Sequence, residues 1–298
     1  MIYCVSNIHG RIDLFSRLLE EVRFSDDDFI YILGDCIDKG GGLAALERIM
    51  DMQANSKAKL ILGNHEHNFL KNISSIDFSI VNKIEYADFI SRSNITRNNY
   101  FEQNSHMERI HYLYQKFFNS VTAANELTVY ESYHSCMDFW SYDIERQNKI
   151  KEFLTATPTY EDIRTDNGKC FRLLHAGCDK DGKVDLSISN EFFTKESPIK
   201  DKTIVFGHSN TKLIRMLMDG VYTKPTIWYD KQNGNDKIGI DCDCAHFGGR
   251  LACLRLDDMQ EFYIENDNLM TYPISSFNEF INDNGYSISD FKYNIWNL

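Results

Sequence analysis

Several things are scarce in this chain of 298 residues. It has only four prolines and no low-complexity run, so no linker divides it, and one domain of 1–298 carrying an insertion is the economical organisation. No apolar stretch approaches the roughly 20 residues of a membrane-spanning helix, and no membrane partner is expected. Basic residues are in deficit, with 32 Lys and Arg against 44 Asp and Glu and a net charge of −12. Nucleic-acid binding depends on neutralising phosphates, so no nucleic-acid partner is expected. The eight cysteines lack metal-finger spacing; Cys242 and Cys244 make only a C-x-C. Met1-Ile2-Tyr3-Cys4 runs straight into an expected strand, with no signal-peptide pattern, and free thiols in a reducing cytoplasm are the simplest expectation.

What the chain does have is five short apolar runs, each followed by polar residues able to bind metal. Ile2-Tyr3-Cys4-Val5 leads into Ser6-Asn7-Ile8-His9-Gly10, and Phe29-Ile30-Tyr31-Ile32-Leu33 into Gly34-Asp35-Cys36-Ile37-Asp38-Lys39-Gly40. Leu60-Ile61-Leu62 precedes Gly63-Asn64-His65-Glu66; Leu173-Leu174 precedes His175-Ala176-Gly177; Ile204-Val205-Phe206 precedes Gly207-His208-Ser209-Asn210-Thr211. Such runs read as buried strands. Polar residues that follow them fall at the strands' C-terminal edge, where open α/β sheets build their sites.

In this order the segments resemble the calcineurin-like metallophosphoesterase superfamily, with its pattern D-x-H, G-D-x-x-D-[RK]-G, G-N-H-[ED], H and G-H. They are most similar to bacterial serine/threonine protein phosphatases and diadenosine tetraphosphatases. Leu154-Thr155-Ala156-Thr157-Pro158-Thr159-Tyr160 and Ile240–Leu251 are similar to further family stretches, so the resemblance covers roughly residues 1–70 and 150–260. It implies an α/β fold, a four-layer sandwich of two mixed β-sheets flanked by helices.

The resemblance also implies two divalent metal ions, manganese first with iron and zinc as alternatives. The first would take Asn7, His9 and Asp35, and the second Asp35, Asn64, His175 and His208, with Asp35 as the bridge. No thiolate is among these groups, which suits such metals better than a structural zinc site. Two ions about 3.5–4 Å apart activate a hydroxide and offset charge on phosphoryl oxygens. His65 would then be the general acid for the leaving oxygen, Asp38 the carboxylate that orients its ring, and Lys39 the cation for the phosphate. The reaction expected is hydrolysis of phosphate monoesters, with phosphoserine and phosphothreonine proteins as first substrates and small phosphate esters or dinucleoside polyphosphates as alternatives.

The chain departs from the pattern in places. Asn7 stands where relatives have aspartate, which removes a negative charge from the first metal position. Two origins fit it: a change introduced to disable an enzyme, or natural divergence. Lys39 stands where many relatives have arginine, and a point charge aligns a phosphate less closely than a guanidinium fork. No arginine lies between His175 and His208, where Lys195 and Lys200 are candidates by position. These departures support a rival reading, a pseudophosphatase that binds phosphorylated partners without turning them over.

The remaining histidines and acids carry ordinary readings. His67, His106, His111 and His134 read as structural, and Asp179, Asp241 and Asp243 as turn residues. His246 either lines the cleft or caps a turn. The long stretch between His65 and His175 predicts a helical cap over 70–150, with amphipathic spacing in Met107–Phe118 and again from Asp138 towards Leu154. Residues 257–298 read as a tail packed on the domain, amphipathic near Ile274–Ile281.

Overall fold

A computed structural model describes residues 1–39, 41–75, 133–187, 192, 194–220, 224–246 and 248–266. The expected helix over Met107–Phe118, His106, His111, most of the 70–150 cap and residues 267–298 of the expected 257–298 tail fall outside them.

The five apolar runs are strands, as expected. The first sheet contains β1 (Ile2–Val5), β2 (Phe29–Leu33), β3 (Ala58–Ile61), β11 (Arg250–Arg255) and β12 (Gln260–Glu265) in the order β12-β11-β1-β2-β3. Within it β1, β2 and β3 run parallel and β11 runs antiparallel to β1. The second sheet contains β4 (Tyr160–Arg164), β5 (Cys170–Leu174), β8 (Thr203–Phe206), β9 (Trp228–Tyr229) and β10 (Lys237–Gly239) in the order β4-β5-β8-β10-β9. Here β5, β8 and β10 are parallel, with antiparallel β4 and β9 at the edges. A small ribbon pairs β6 (Gly177–Cys178) with β7 (Val184–Asp185).

Both faces of each sheet are covered, and the period-two alternation of side chains sorts residues between them. Cys4, Leu33 and Ile61 from the first sheet meet Phe171, Leu173, Val205 and Ile238 from the second in an inter-sheet core. Their neighbours Tyr3, Val5, Ile30, Ile32 and Leu60 face outward into a second cluster, against Leu14, Phe15 and Leu18 of α1 (Ile12–Glu21) and Leu46 and Ile49 of α2 (Ala44–Ala54). On the far side, Leu174, Ile204 and Phe206 pack with Ile214 of α6 (Thr211–Asp219). The result is helix, sheet, sheet, helix. Each fully buried Leu, Ile or Phe contributes about 1.5–3 kcal/mol.

Among the described residues three more helices belong to the first outer layer: α3 (Asn64–Ser75), α4 (Tyr133–Ser141) and α5 (Ile144–Ala156). Phe69 and Ile73 of α3, Cys136 and Phe139 of α4, and Ile150 and Leu154 of α5 belong to the same cluster as α1 and α2. The amphipathic stretch from Asp138 is thus two helices. Asp143 ends the continuity by capping α5, its side chain accepting a hydrogen bond from the Arg146 N–H at 2.8 Å.

Candidate metal centre

The loops after β1, β2 and β3, and those after β5 and β8, meet at one edge of the sandwich. Backbone bonds stitch the first two loops together: the Asn7, His9 and Gly10 N–H groups donate to the Gly34, Asp35 and Cys36 carbonyls at 3.0, 2.9 and 2.8 Å. A Cβ on Gly10 would lie 2.3 Å from the Gly41 Cα, so only glycine permits the approach. Asn7, His9, Asp35, Asp38, Lys39 and His208 all adopt positive φ, between 48° and 74°. Such left-handed backbone costs a side-chain-bearing residue on the order of 1 kcal/mol or more, and it clusters where surrounding structure fixes a site.

Asp35 is the hub. Its Oδ1 lies 3.3 Å from His175 Nε2 and accepts the His65 N–H at 3.1 Å. Its Oδ2 faces the other way, 3.3 Å from Asn7 Nδ2 and 3.8 Å from His65 Nε2. Burial opposes its charge, but the neighbouring His175 and His65 hold its pKa well below the usual carboxylate range.

On the Oδ1 side, Asn64 Oδ1 lies 2.8 Å from His175 Nε2 and 2.9 Å from His208 Nδ1, and the two ring nitrogens are 3.2 Å apart. His175 donates Nδ1–H to the Leu33 carbonyl at 2.8 Å, which leaves the Nε2 lone pair of the neutral ring pointing into this triangle. Separations near 3 Å are those of atoms bound about 2.0–2.2 Å from one ion. The remote N–H of a ligating histidine commonly finds a backbone carbonyl, as here. This group fits a divalent cation. Burial and then His175 push the His208 pKa down to about 4, so its ring is neutral and able to ligate. Burial opposes charge on His175 as well, but the neighbouring Asp35 carboxylate outweighs it and raises the pKa.

The Oδ2 side differs. His9, Asp35 and His65 bring ligand atoms within 4.8 Å of one another, and His9 turns Nδ1 to the Ile37 carbonyl at 3.2 Å. Asn7, expected as a ligand, does not present an oxygen there. Its Oδ1 accepts the His208 N–H at 2.8 Å, and its Nδ2 faces Asp35 Oδ2 at 3.3 Å and His9 Nε2 at 3.4 Å. N–H hydrogens fill the direction a cation would approach from, so Asn7 does not fit the role in this arrangement.

Beside the hub, His65 Nδ1 and Asp38 Oδ2 are 2.8 Å apart. Burial opposes charge on His65, but Asp35 and the Asp38 hydrogen bond hold its pKa up at about 9. Burial raises Asp38 to about 6, still anionic at neutral pH. Lys39 is half-buried; burial first and then the Lys39 charge push the His9 pKa downward, so its field reaches the centre.

Other candidates fall elsewhere. Lys200 is exposed and paired with Glu196. His246 is an exposed turn residue, its Nδ1 2.6 Å from Asp243 Oδ1. Asp241 and Asp179 accept backbone hydrogen bonds in turns, as expected. Three residues to which the sequence pattern assigns no role also support the site. Glu66, fully buried, accepts N–H bonds from Asp35, Cys36 and Gly63. From α4, Ser135 Oγ accepts the Asp38 N–H at 3.0 Å and Asp138 accepts the Leu43 N–H at 3.0 Å.

Two mixed sheets whose strand-end loops gather an imidazole, carboxylate and amide centre beside a histidine–aspartate pair define a metallophosphoesterase sandwich. More particularly, the chain belongs to the calcineurin-like phosphoesterases, whose family model matches residues 1–212. That family uses divalent metals. The chain is 39% identical to a symmetrical bis(5'-nucleosyl)-tetraphosphatase of Delftia acidovorans over 70 residues, 23% of this chain and 25% of that protein. A namesake from Aggregatibacter actinomycetemcomitans is 35% identical over 69 residues, with the same 23% and 25% shares. The aligned stretch spans about a quarter of the length of each of these curated relatives. A solved metallophosphoesterase from Sphaerobacter thermophilus is 13% identical, with a TM-score of 0.45 over 97% of this chain and 95% of that one. Among the described residues no helix is long and apolar enough to cross a membrane.

Proposed function

We propose that this chain hydrolyses phosphate esters or anhydrides at the Asp35 centre, with His65 as general acid. The observation that carries the reading is the convergence of lone pairs from Asn64, His175 and His208 on one point beside Asp35, next to the His65–Asp38 pair. Asp35, Asn64, His175 and His208 would hold a divalent ion, with manganese first and iron or zinc as alternatives; when bound it supplies Lewis-acid polarisation of the phosphoryl group.

The chain's own residues do the rest. Asp38 takes the Nδ1–H of His65, which fixes the ring and leaves Nε2–H facing the cleft near Asp35. That proton goes to the departing oxygen as its bond to phosphorus breaks and the oxygen of an attacking water takes its place on phosphorus. Lys39 lends positive charge to the phosphoryl oxygens. Glu66 keeps Asp35 in place through the backbone.

For substrate, dinucleoside polyphosphates come first and phosphoserine or phosphothreonine peptides second. The relatives described above are named as tetraphosphatases, and the protein-phosphatase expectation finds no support among them. Asn7 favours one further reading, a catalytically impaired member that holds phosphorylated ligands.

The test is nucleotide release from diadenosine tetraphosphate, and phosphate release from p-nitrophenyl phosphate and a phosphopeptide, with added manganese. Metal-dependent hydrolysis that disappears in His175→Ala supports the proposal. Tight binding without hydrolysis, in folded and metal-loaded protein, moves the impaired reading ahead. Neither binding nor hydrolysis of any of the three sinks both.

A further inference from the structure

We infer that the Asn7 carboxamide occupies the first metal position, so that this chain loads one divalent cation where its family pattern implies two. The inference rests on the proposed metal site at Asp35, Asn64, His175 and His208 and concerns the other side of Asp35.

The orientation of Asn7 follows from its partners. As placed, every polar atom of the amide meets its complement: the oxygen takes the His208 N–H, while the NH₂ group faces the Asp35 carboxylate and the Nε2 of His9. His9 Nε2 can accept, because its Nδ1–H is directed to the Ile37 carbonyl. Turning the amide over would bring NH₂ against the His208 N–H and oxygen against two acceptors. All three contacts would then be repulsive, and a buried backbone donor would lose its partner.

Movement offers no alternative. Asn7 is 3% exposed, its N–H is bonded to the Gly34 carbonyl, and its carbonyl lies 3.0 Å from Cys244 Sγ. Its Oδ1 lies 2.5 Å from the place a Cβ on Gly207 would occupy, so the amide is seated against that backbone.

Charge points the same way. Among Asn7, His9, Asp35, Asn64, His175 and His208, Asp35 is the one carboxylate. A single dication leaves the ligand set at +1, whereas two would leave +3. Aspartate at position 7 could take the His208 N–H with one oxygen and offer the other to a cation, restoring both the donor atom and a negative charge. The NH₂ group instead places partial positive charge on Asp35 Oδ2 and His9 Nε2, as an ion would. Asn7 is thus an internal stand-in for the first cation.

The test is metal content and spectroscopy of the full chain loaded with manganese chloride, dialysed, and measured by mass spectrometry of bound metal and by electron paramagnetic resonance. Expected are one manganese per chain with an uncoupled six-line signal, and two per chain with an exchange-coupled signal in Asn7→Asp. His9→Ala should leave the parent at one ion and return Asn7→Asp from two to one. That second variant keeps the test decisive if a new carboxylate perturbs folding. Two tightly held, coupled ions in the parent chain would overturn the inference, as would loss of the single ion in His9→Ala. No bound metal in any form would overturn the metal site of the proposed function and this inference with it. One bound ion without hydrolysis of any phosphate substrate would overturn the activity and leave the inference standing.

Discussion

Glu66 holds Asp35 by its backbone, its Oε2 accepting the Asp35 N–H at 2.8 Å. The same oxygen takes the Gly63 N–H at 3.0 Å and the other oxygen takes the Cys36 N–H at 2.7 Å, so one buried carboxylate ties the loops after β2 and β3 together. Glu66→Gln turns an NH₂ group towards at least one of these donors. Leaving a buried donor unsatisfied costs about 1–3 kcal/mol. Chemical denaturation should show that loss, and manganese affinity should fall as Asp35 shifts.

If His65 delivers a proton to the leaving oxygen, its importance depends on how much the leaving group needs one. His65→Gln should slow hydrolysis of an alkyl phosphate by about 10²–10⁴-fold. p-Nitrophenyl phosphate, whose leaving group is stable as the anion, should slow much less. Equal losses on both substrates would remove His65 from the acid role.

Asp241 makes a pH-dependent contribution to stability in metal-free protein. Burial first, and the neighbouring Asp243 second, raise its pKa from 3.8 to about 6. A carboxyl raised on folding binds its proton more tightly in the folded state. Its contribution is therefore fully present below pH 3.8 and is lost as pH rises through about 6. Asp241→Asn keeps an oxygen for the Asp243 N–H and has no charge to bury. Relative to the parent, the variant should gain on the order of 1–3 kcal/mol between pH 4 and pH 7. Denaturation at both pH values measures it, and a flat difference would mean that Asp241 titrates normally.

Lys237 is a buried cation away from the centre, its Nζ 2.6 Å from Asp230 and 3.2 Å from Asp236. Lys237 and Asp230 are both fully buried. Lys237→Met leaves Asp230 charged and uncompensated, with an expected loss of about 3–5 kcal/mol. Adding Asp230→Asn should recover part of it, since the stranded charge is then gone. Urea midpoints of the single and double variants provide the comparison.

Five strands were legible because buried strands read as apolar runs, and because Asp35, His65, His175 and His208 each sit just past one, but their order within the two sheets was not. Which face each residue takes, Cys4 against Val5 and Leu33 against Ile32, was not legible, since an unbroken apolar run carries no period-two signal. Glu66 was present in a motif but had no role assigned, because its partners are backbone N–H groups that no side-chain pattern reveals. Ser135 and Asp138 reach Asp38 and Leu43 across more than ninety positions of chain, beyond any local periodicity. The orientation of Asn7 was hidden for a similar reason: it is set by the N–H of His208, 201 positions away.

Asn7, Asp35 and Asn64 come from loops of one sheet, and His175 and His208 from loops of the other, with the inter-sheet core between them. The centre is thus a gauge of how the two sheets are seated. A slip of one sheet past the other by a single residue, about 3.3 Å, would separate Asn64 from both histidines while leaving every strand ladder intact. Under pressure or mild denaturant, loss of contact between His208 and Asn64 should register that slip before any strand unzips, making the chemistry the first casualty of a shear that secondary-structure probes would not see.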